Sequence, residues 1–255
     1  MKKFLFLSIA AVLLICPRVF AESFDFLSIS NSTKNIHVTE KSSGKALWDN
    51  NIKFQNMTYD SKPFFYIEEN GSGIYGKDGK FKSWISKAYY FISDGKAAPY
   101  QTSKIFKNKS GQVIQTINKY YYPDKNLILC KIDNSNKEFN LKKDLVDIEL
   151  LGTALMFYPF SAPRDFQFNL LTNEPQMYKI TMKYIGKENV DTDSGRVLCH
   201  KLEMSIDLGA LNIFGAFVPK TYFWYTVSEP NTFVRYEGLE SGLGTPYIVM
   251  EITGK

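Results

Sequence analysis

The chain has 255 residues, 44% of them apolar and 15% aromatic, enough to build a substantial core and too many for a disordered chain. Its 31 basic and 26 acidic residues are interspersed, with no Lys/Arg run longer than Lys142-Lys143. That distribution excludes the broad positive field by which a protein gathers nucleic acid.

The first element is a leader. Lys2 and Lys3 precede an apolar run over residues 4–16, then Pro17, Arg18 and Val19-Phe20-Ala21 before Glu22. A basic start, a short apolar stretch and an A-x-A-like end are what signal peptidase reads. The run is about 13 residues, against the roughly 20 that a membrane span needs. The expectation is a signal peptide over 1–21 cleaved after Ala21, and a periplasmic mature chain over 22–255 with no transmembrane segment. Lipidation at Cys16 is disfavoured by the bulky Ile15 before it. Three charges of the formal +5, Lys2, Lys3 and Arg18, sit in this leader, so the mature chain is nearly neutral.

After the leader the chain reads as strands and turns. Aromatic and β-branched runs alternate with Gly, Asn, Asp and Pro clusters. Two runs within 104–122 flank Lys109-Ser110-Gly111, a hairpin turn with glycine where positive φ is wanted. Pro123-Asp124-Lys125-Asn126 turns the chain into a strand over 127–132. Leu141, Leu145, Ile148, Leu151 and Leu155 then recur at helical spacing, with Asn140 as cap and Pro159 and Pro163 as stops. Beyond them Tyr178, Ile180, Met182 and Tyr184 alternate with polar residues, as in a strand with one buried face. Asp191-Thr192-Asp193-Ser194-Gly195 turns this strand into a partner over 197–206. Strands over 221–227, 232–237 and 247–252 close the chain. The fold class is mainly β: a curved antiparallel sheet, half-barrel or sandwich-like, with one central helix, in a single domain. Cys130 alternates with Ile128 and Ile132 and faces the core, whereas Cys199 lies beside Val197 and Lys201, which leaves a disulfide between them open.

Residues 144–255 resemble the exported bacterial family catalogued as domain of unknown function 3108. The resemblance is carried by the helix over 144–158, the strand over 178–184, and the block from Gly186 through Asp191-Thr192-Asp193-Ser194-Gly195-Arg196 to Cys199-His200-Lys201-Leu202-Glu203. Pro219-Lys220-Thr221-Tyr222-Phe223-Trp224 and Tyr236-Glu237-Gly238 fit the family's closing hairpin. These motifs are turns and strands, not chemistry. What the resemblance implies is a curved antiparallel sheet wrapped about a helix, broadly similar to lipoprotein-carrier half-barrels.

Chemical motifs are sparse. The histidines are His37 and His200, and His200 lies among Leu198, Leu202 and Met204, as a core or cavity histidine does. Asp191, Asp193 and Gly195 begin like a calcium loop, but the glycine is one place early and Leu202 stands where the bidentate glutamate belongs. Ser241, in Gly238-Leu239-Glu240-Ser241-Gly242-Leu243-Gly244, lacks the glycine two residues before it that a hydrolase elbow needs. A tight connection between two strands explains those glycines. Carboxylate pairs such as Glu68/Glu69 and Glu237/Glu240 are too common to single out, and the Asn-x-Ser/Thr triplets at Asn31, Asn56, Asn70 and Asn108 follow from composition.

Two features stand above this background. Residues 208–218 are nearly all apolar between two strands, where connections are usually polar; they read as a core plug, as a lid over a cavity, or as a surface that touches membrane or a partner. Tyr222 and Trp224 occupy one face of a strand whose other face carries Phe223 and Tyr225, and Tyr120, Tyr121 and Tyr122 do the same elsewhere, so both sides of the sheet are covered. The leading expectation is a periplasmic, non-enzymatic protein that binds a lipid, acyl chain or other hydrophobic molecule in a β-lined cavity. Its candidate lining or lid residues are Leu211, Ile213, Phe214, Phe217, Phe223, Tyr225 and His200. No cofactor, metal or nucleic acid is expected. The alternative is a cell-envelope structural or assembly factor acting through contacts with an envelope protein.

Overall fold

The structure, a computed structural model, describes residue 29 and residues 31–253 apart from 60, 94–95, 194 and 208–218. Fifteen strands form one sheet. In chain order they are β1 (Ser32–Glu40), β2 (Ala46–Tyr59), β3 (Lys62–Tyr75), β4 (Lys80–Ser93), β5 (Lys96–Asn108), β6 (Val113–Tyr122), β7 (Leu127–Ile132), β8 (Ser135–Asn140), β9 (Leu145–Asp147), β10 (Phe166–Leu171), β11 (Met177–Thr192), β12 (Gly195–Asp207), β13 (Thr221–Thr226), β14 (Phe233–Leu239) and β15 (Tyr247–Thr253). The order across the sheet is β8-β7-β6-β5-β4-β3-β2-β1-β15-β14-β13-β12-β11-β10-β9. Neighbours in the chain pair antiparallel from β1 to β8 and from β10 to β15, β8 and β9 stand at opposite ends of the order, and the first and last strands meet where β1 pairs antiparallel with β15, Asn35 opposite Thr253. Only β9–β10 is parallel.

The sheet is thus continuous, and it curls. Its two ends are brought together by side chains: Tyr121, Ile128 and Cys130 from β6 and β7 share a buried cluster with Leu171, with Leu141, Leu145 and Met177 packed against it. Lys137 of β8 donates to the Pro175 carbonyl at 2.8 Å. Of the two architectures open in the sequence, the curled half-barrel is the one adopted. A pair of separate stacked sheets is not, because the β1–β15 ladder joins what would have been the two layers.

Helix α1 (Ile148–Ala154) closes the interior, and it is shorter than the apolar stripe predicts. Leu145 and Val146 are drawn into β9 by pairing with Asn169 and Leu170, and Asp144 receives both the backbone N–H of Asn169 and its side-chain amide, at 2.7 Å. The cap is therefore Asp147, not Asn140: its Oδ1 accepts from the Glu149 N–H at 3.0 Å. Leu141 and Leu145 serve the sheet-end cluster instead. A 3-10 turn (Leu155–Phe157) continues the helix to Tyr158, just before Pro159. On α1, Leu150 and Ala154 pack with Phe65, Ile67, Tyr90 and Ile92 of β3 and β4. Leu151, and Leu155 just after the helix, pack with Phe168, Ile180, Met182 and Leu202 of β10 to β12. One short helix is buried against both wings of the sheet, with each fully buried leucine worth about 1.5–3 kcal/mol.

The double-faced aromatic strand behaves as its pattern suggests. Phe223 and Tyr225 face inward. Trp224 is buried on the outer face beside Cys199, Val190 and Val234, where its indole donates to Glu188 at 2.6 Å and Lys201 lies over the ring. Cys130 and Cys199 are both free and sit in different clusters. Gly111 (φ +82°) and Gly195 (φ +110°) hold the positive φ expected at their hairpin turns.

Candidate functional site

The curled sheet forms a half-open cavity of about 320 Å³. One wall comes from the first wing: Ile36, Ile52, Phe54 and Ile67 of β1 to β3. The facing wall is Met204, Phe223, Phe233, Met250 and Ile252 of β12 to β15, and α1 with the turn after it supplies Leu151 and Met156. These positions line one space because strand alternation points every second residue inward and the β1–β15 ladder sets the two wings side by side.

The cavity has a polar pole. Lys104 of β5 is buried between Glu69, at 3.7 Å, and Glu149, at 3.5 Å. Glu69 Oε1 also accepts from the Trp84 indole at 2.7 Å and from the Asn50 amide at 2.8 Å. Glu149 accepts from the Asn173 amide at 2.8 Å. Glu240, just past β14, accepts from the Trp48 indole and from the Gly76 N–H, both at 2.7 Å. Two glycines on β3 make room for the tryptophans. A Cβ on Gly71 would stand 2.2 Å from the Trp84 ring, and one on Gly73 would stand 2.3 Å from the Leu47 carbonyl and 2.5 Å from Trp48.

The electrostatics follow from burial and pairing. Burial alone would lower the Lys104 pKa, but Glu149 and Glu69 outweigh it and hold the ammonium above its ordinary value. Burial likewise opposes ionisation of Glu149, and Lys104 and Lys119 overcome it, so that carboxyl is held low. Burial raises the Glu240 pKa, and the Gly76 N–H, the Trp48 indole and the charge of Lys82 offset only part. Tyr75, buried beside Trp48 and Trp84, is pushed up to about 12, mainly by burial.

Next to the cavity lies a second ion pair. Lys119 of β6 donates to Asp147 at 2.7 Å and to Asn173 at 3.3 Å, and Tyr121 donates to the same Asp147 oxygen. Lys119 and Asp147 are almost wholly buried, at 2% and 0% side-chain exposure, so each charge depends on the other. Through Asn173 this pair joins the Glu149–Lys104–Glu69 chain, which ties α1 to the first wing.

Of the residues singled out in the sequence, Phe223 lines the cavity. Tyr225 is buried beneath α1, its hydroxyl donating to the Gly152 carbonyl at 2.7 Å. His200 stacks on Phe160, with ring centroids 4.2 Å apart, and meets the Tyr184 hydroxyl at 3.1 Å; burial lowers its pKa. Leu211, Ile213, Phe214 and Phe217 lie outside the described residues. Sequence reasoning passed over Glu69, Lys104, Glu149 and Glu240. The one available signal was position, since Glu69 shares the inward parity of Phe65 and Ile67 while Glu68 does not. Among the described residues no three His, Cys, Asp or Glu side chains are grouped so as to hold a metal, and no helix is long and apolar enough to cross a membrane. The glycine-rich segment around Ser241 connects β14 to β15, with Glu240 N–H bonded to the Pro246 carbonyl at 3.0 Å.

The sequence matches the family described as "Protein of unknown function (DUF3108)" over residues 91–253, beginning well before the segment in which its motifs are legible by eye. No curated protein matches the chain. Among solved structures, it is similar to a β-barrel-like protein of domain of unknown function DUF1849 from Brucella abortus, with TM-score 0.52, 7% identity, and 87% of this chain and 94% of that one covered. The hypothetical lipoprotein YmcC from Escherichia coli aligns at TM-score 0.33 and 9% identity, covering 91% and 88%. At such identities the Brucella likeness bears on fold alone.

Proposed function

The chain belongs to the DUF3108 family, whose description assigns no activity, and we propose from its cavity that it is an exported, non-enzymatic protein that holds a hydrophobic molecule, a lipid or acyl chain, inside its curled sheet. The observation that carries this reading is the half-open space of about 320 Å³ with apolar walls from both wings. Small-molecule pockets run from about 300 to 1,000 Å³ and are mostly apolar with a few placed polar groups. A tail laid between Ile52 and Phe233 would gain about 0.8 kcal/mol per buried methylene, so useful affinity needs few polar contacts. The leader over 1–21, with its short apolar run and Val19-Phe20-Ala21, supports export to the periplasm.

Native mass spectrometry of the full chain purified from its host without detergent tests the reading. The expected spectrum contains a species heavier than the protein by the mass of one amphiphile, lost on mild activation. A single apo mass, together with no uptake of added amphiphile, would favour the envelope-assembly alternative.

A further inference from the structure

The polar pole of the cavity is a surplus of acceptors. Glu69, Glu149 and Glu240 line the space against Lys104, which is already committed to Glu69 and Glu149, and Lys34. Among them Asn50 is only 7% exposed, and among the described residues no donor reaches its buried Oδ1. The amide cannot be turned round to cure this, because its NH₂ is fixed by donation to the Glu69 carboxylate at 2.8 Å. A buried acceptor without a donor is costly, and this one belongs to a residue that lines the cavity beside an apolar wall.

From this we infer that the cavity selects amphiphiles whose polar end donates hydrogen bonds, long-chain ammonium compounds above all, seating the head among Asn50, Glu69 and Glu240 and the tail between Ile52 and Phe233. The inference rests on the binding function proposed above and adds the chemistry of the head. An ammonium offers three donors and one positive charge. It would satisfy the Asn50 oxygen and offset the excess of carboxylates in a space where burial makes each uncompensated charge costly. Glu240 is suited to such a head, since its donors are an indole and a backbone N–H, Lys82 acts on it only at a distance, and among the described residues no lysine or arginine forms an ion pair with it. A carboxylate head would face like charges and leave Asn50 Oδ1 unmet. Lys34, on β1 opposite Ile52, is the lining cation on which an anionic head would depend.

The test is displacement of N-phenyl-1-naphthylamine, a neutral apolar dye, from the full chain by dodecylamine, dodecanol and dodecanoate at pH 7. The expected order is dodecylamine, then dodecanol, then dodecanoate, with at least about tenfold between the first and last, the size of one charge-assisted hydrogen bond. Lysophosphatidylethanolamine, whose ammonium sits beyond a phosphate, separates sources. Displacement like that of dodecylamine points to a lipid headgroup, and displacement by dodecylamine alone points to a simple amine. Asn50→Leu should shrink the dodecylamine-to-dodecanoate ratio, whereas Leu198→Trp, at an exposed site outside the cavity lining, should leave it unchanged. Dodecanoate binding as tightly as dodecylamine, or a ratio unmoved by Asn50→Leu, overturns the inference and leaves the carrier reading standing. A wild type that takes up no dye and no amphiphile overturns both.

Discussion

The two wings of the sheet build the same curve from opposite chemistry. Strands β10 to β13 turn Phe168, Ile180, Met182, Leu202 and Tyr225 inward, an apolar core sealed against α1 mainly by packing, with the Tyr225 hydroxyl and the Asn173 amide of the β10–β11 turn as polar ties. Strands β3 to β6 pack Phe65, Ile67, Tyr90 and Ile92 on Leu150 and Ala154 of α1, but also turn Glu69, Ser86, Thr102, Lys104 and Lys119 inward and meet the helix through Asp147 and Glu149. Packing is tolerant of exchange and indifferent to pH. A buried ion chain is neither, since every member is needed to neutralise another. The first wing is therefore stabilised by a network that also gives the cavity a polar end, and the second by surface burial that gives it an apolar wall.

Breaking the ion chain should have the largest effect. Lys119→Leu leaves Asp147 charged and buried, and is expected to cost about 3–5 kcal/mol in urea unfolding. Met182→Ala in the second wing is expected to cost about 2–5 kcal/mol by leaving a cavity. The comparison lies in the rescue. Adding Asp147→Asn to Lys119→Leu should restore part of the loss, because the orphan charge goes while asparagine still caps α1. Failure of that second change to restore anything would deny that the first wing is held by charge.

Gly71→Val comes next. Its side chain would enter the Trp84 ring, at 2.2 Å for the first atom, and separate the indole from Glu69. A loss of up to about 3 kcal/mol is expected, together with a shift in tryptophan emission. An unshifted spectrum would contradict this.

The third effect is in the pH profile. The Glu149 carboxyl is held below its ordinary value of 4.5, so it contributes stability that is fully present above that value and lost as pH falls through the lower folded one. Glu149→Gln should cost about 1.5–3 kcal/mol at pH 7 and flatten the stability curve below about pH 4.5. Parallel curves for wild type and variant would show that the carboxyl is not held down by the lysines.

The smallest effect is confined to backbone. Gly195 holds φ +110° at the β11–β12 turn with open space around it, so Gly195→Val should cost about 1–2 kcal/mol independently of pH, and Asp193→Ala less. Equal melting temperatures for the two would contradict this.

This contrast also marks how far the sequence can be read. The second wing was legible because alternation at Tyr178, Ile180, Met182 and Tyr184 is unambiguous, and because Asp191 to Gly195 is a turn that admits little else. In the first wing the β5–β6 hairpin and β7 were legible too, but β1 to β4 and the inward charges were not, because inward positions there carry polar and charged residues. In the β5 segment Thr102, Lys104 and Phe106 face in while Ile105 faces out, which inverts the usual inference from hydrophobicity. Glu69 and Glu240 looked like members of ordinary acidic pairs. What distinguishes them is the company of Trp84 and Trp48, and Glu240 meets Trp48 across the whole length of the chain. The helix was placed correctly but drawn too long, since nothing local announces that Leu145 will pair with a strand still to come.

The central claim is that the space between the wings takes up an apolar molecule. The most direct measurement is titration of the dye N-phenyl-1-naphthylamine into wild type, into Met204→Trp/Ile252→Trp, which fills the space from the second wing, and into Leu198→Trp, which adds the same ring at an exposed site. The account expects saturable, blue-shifted dye emission in wild type and Leu198→Trp. In the filled variant affinity should fall at least about tenfold, the equivalent of two methylenes' worth of lost contact, while the urea midpoint is retained. Dye affinity equal in all three proteins would place the dye elsewhere and contradict the account.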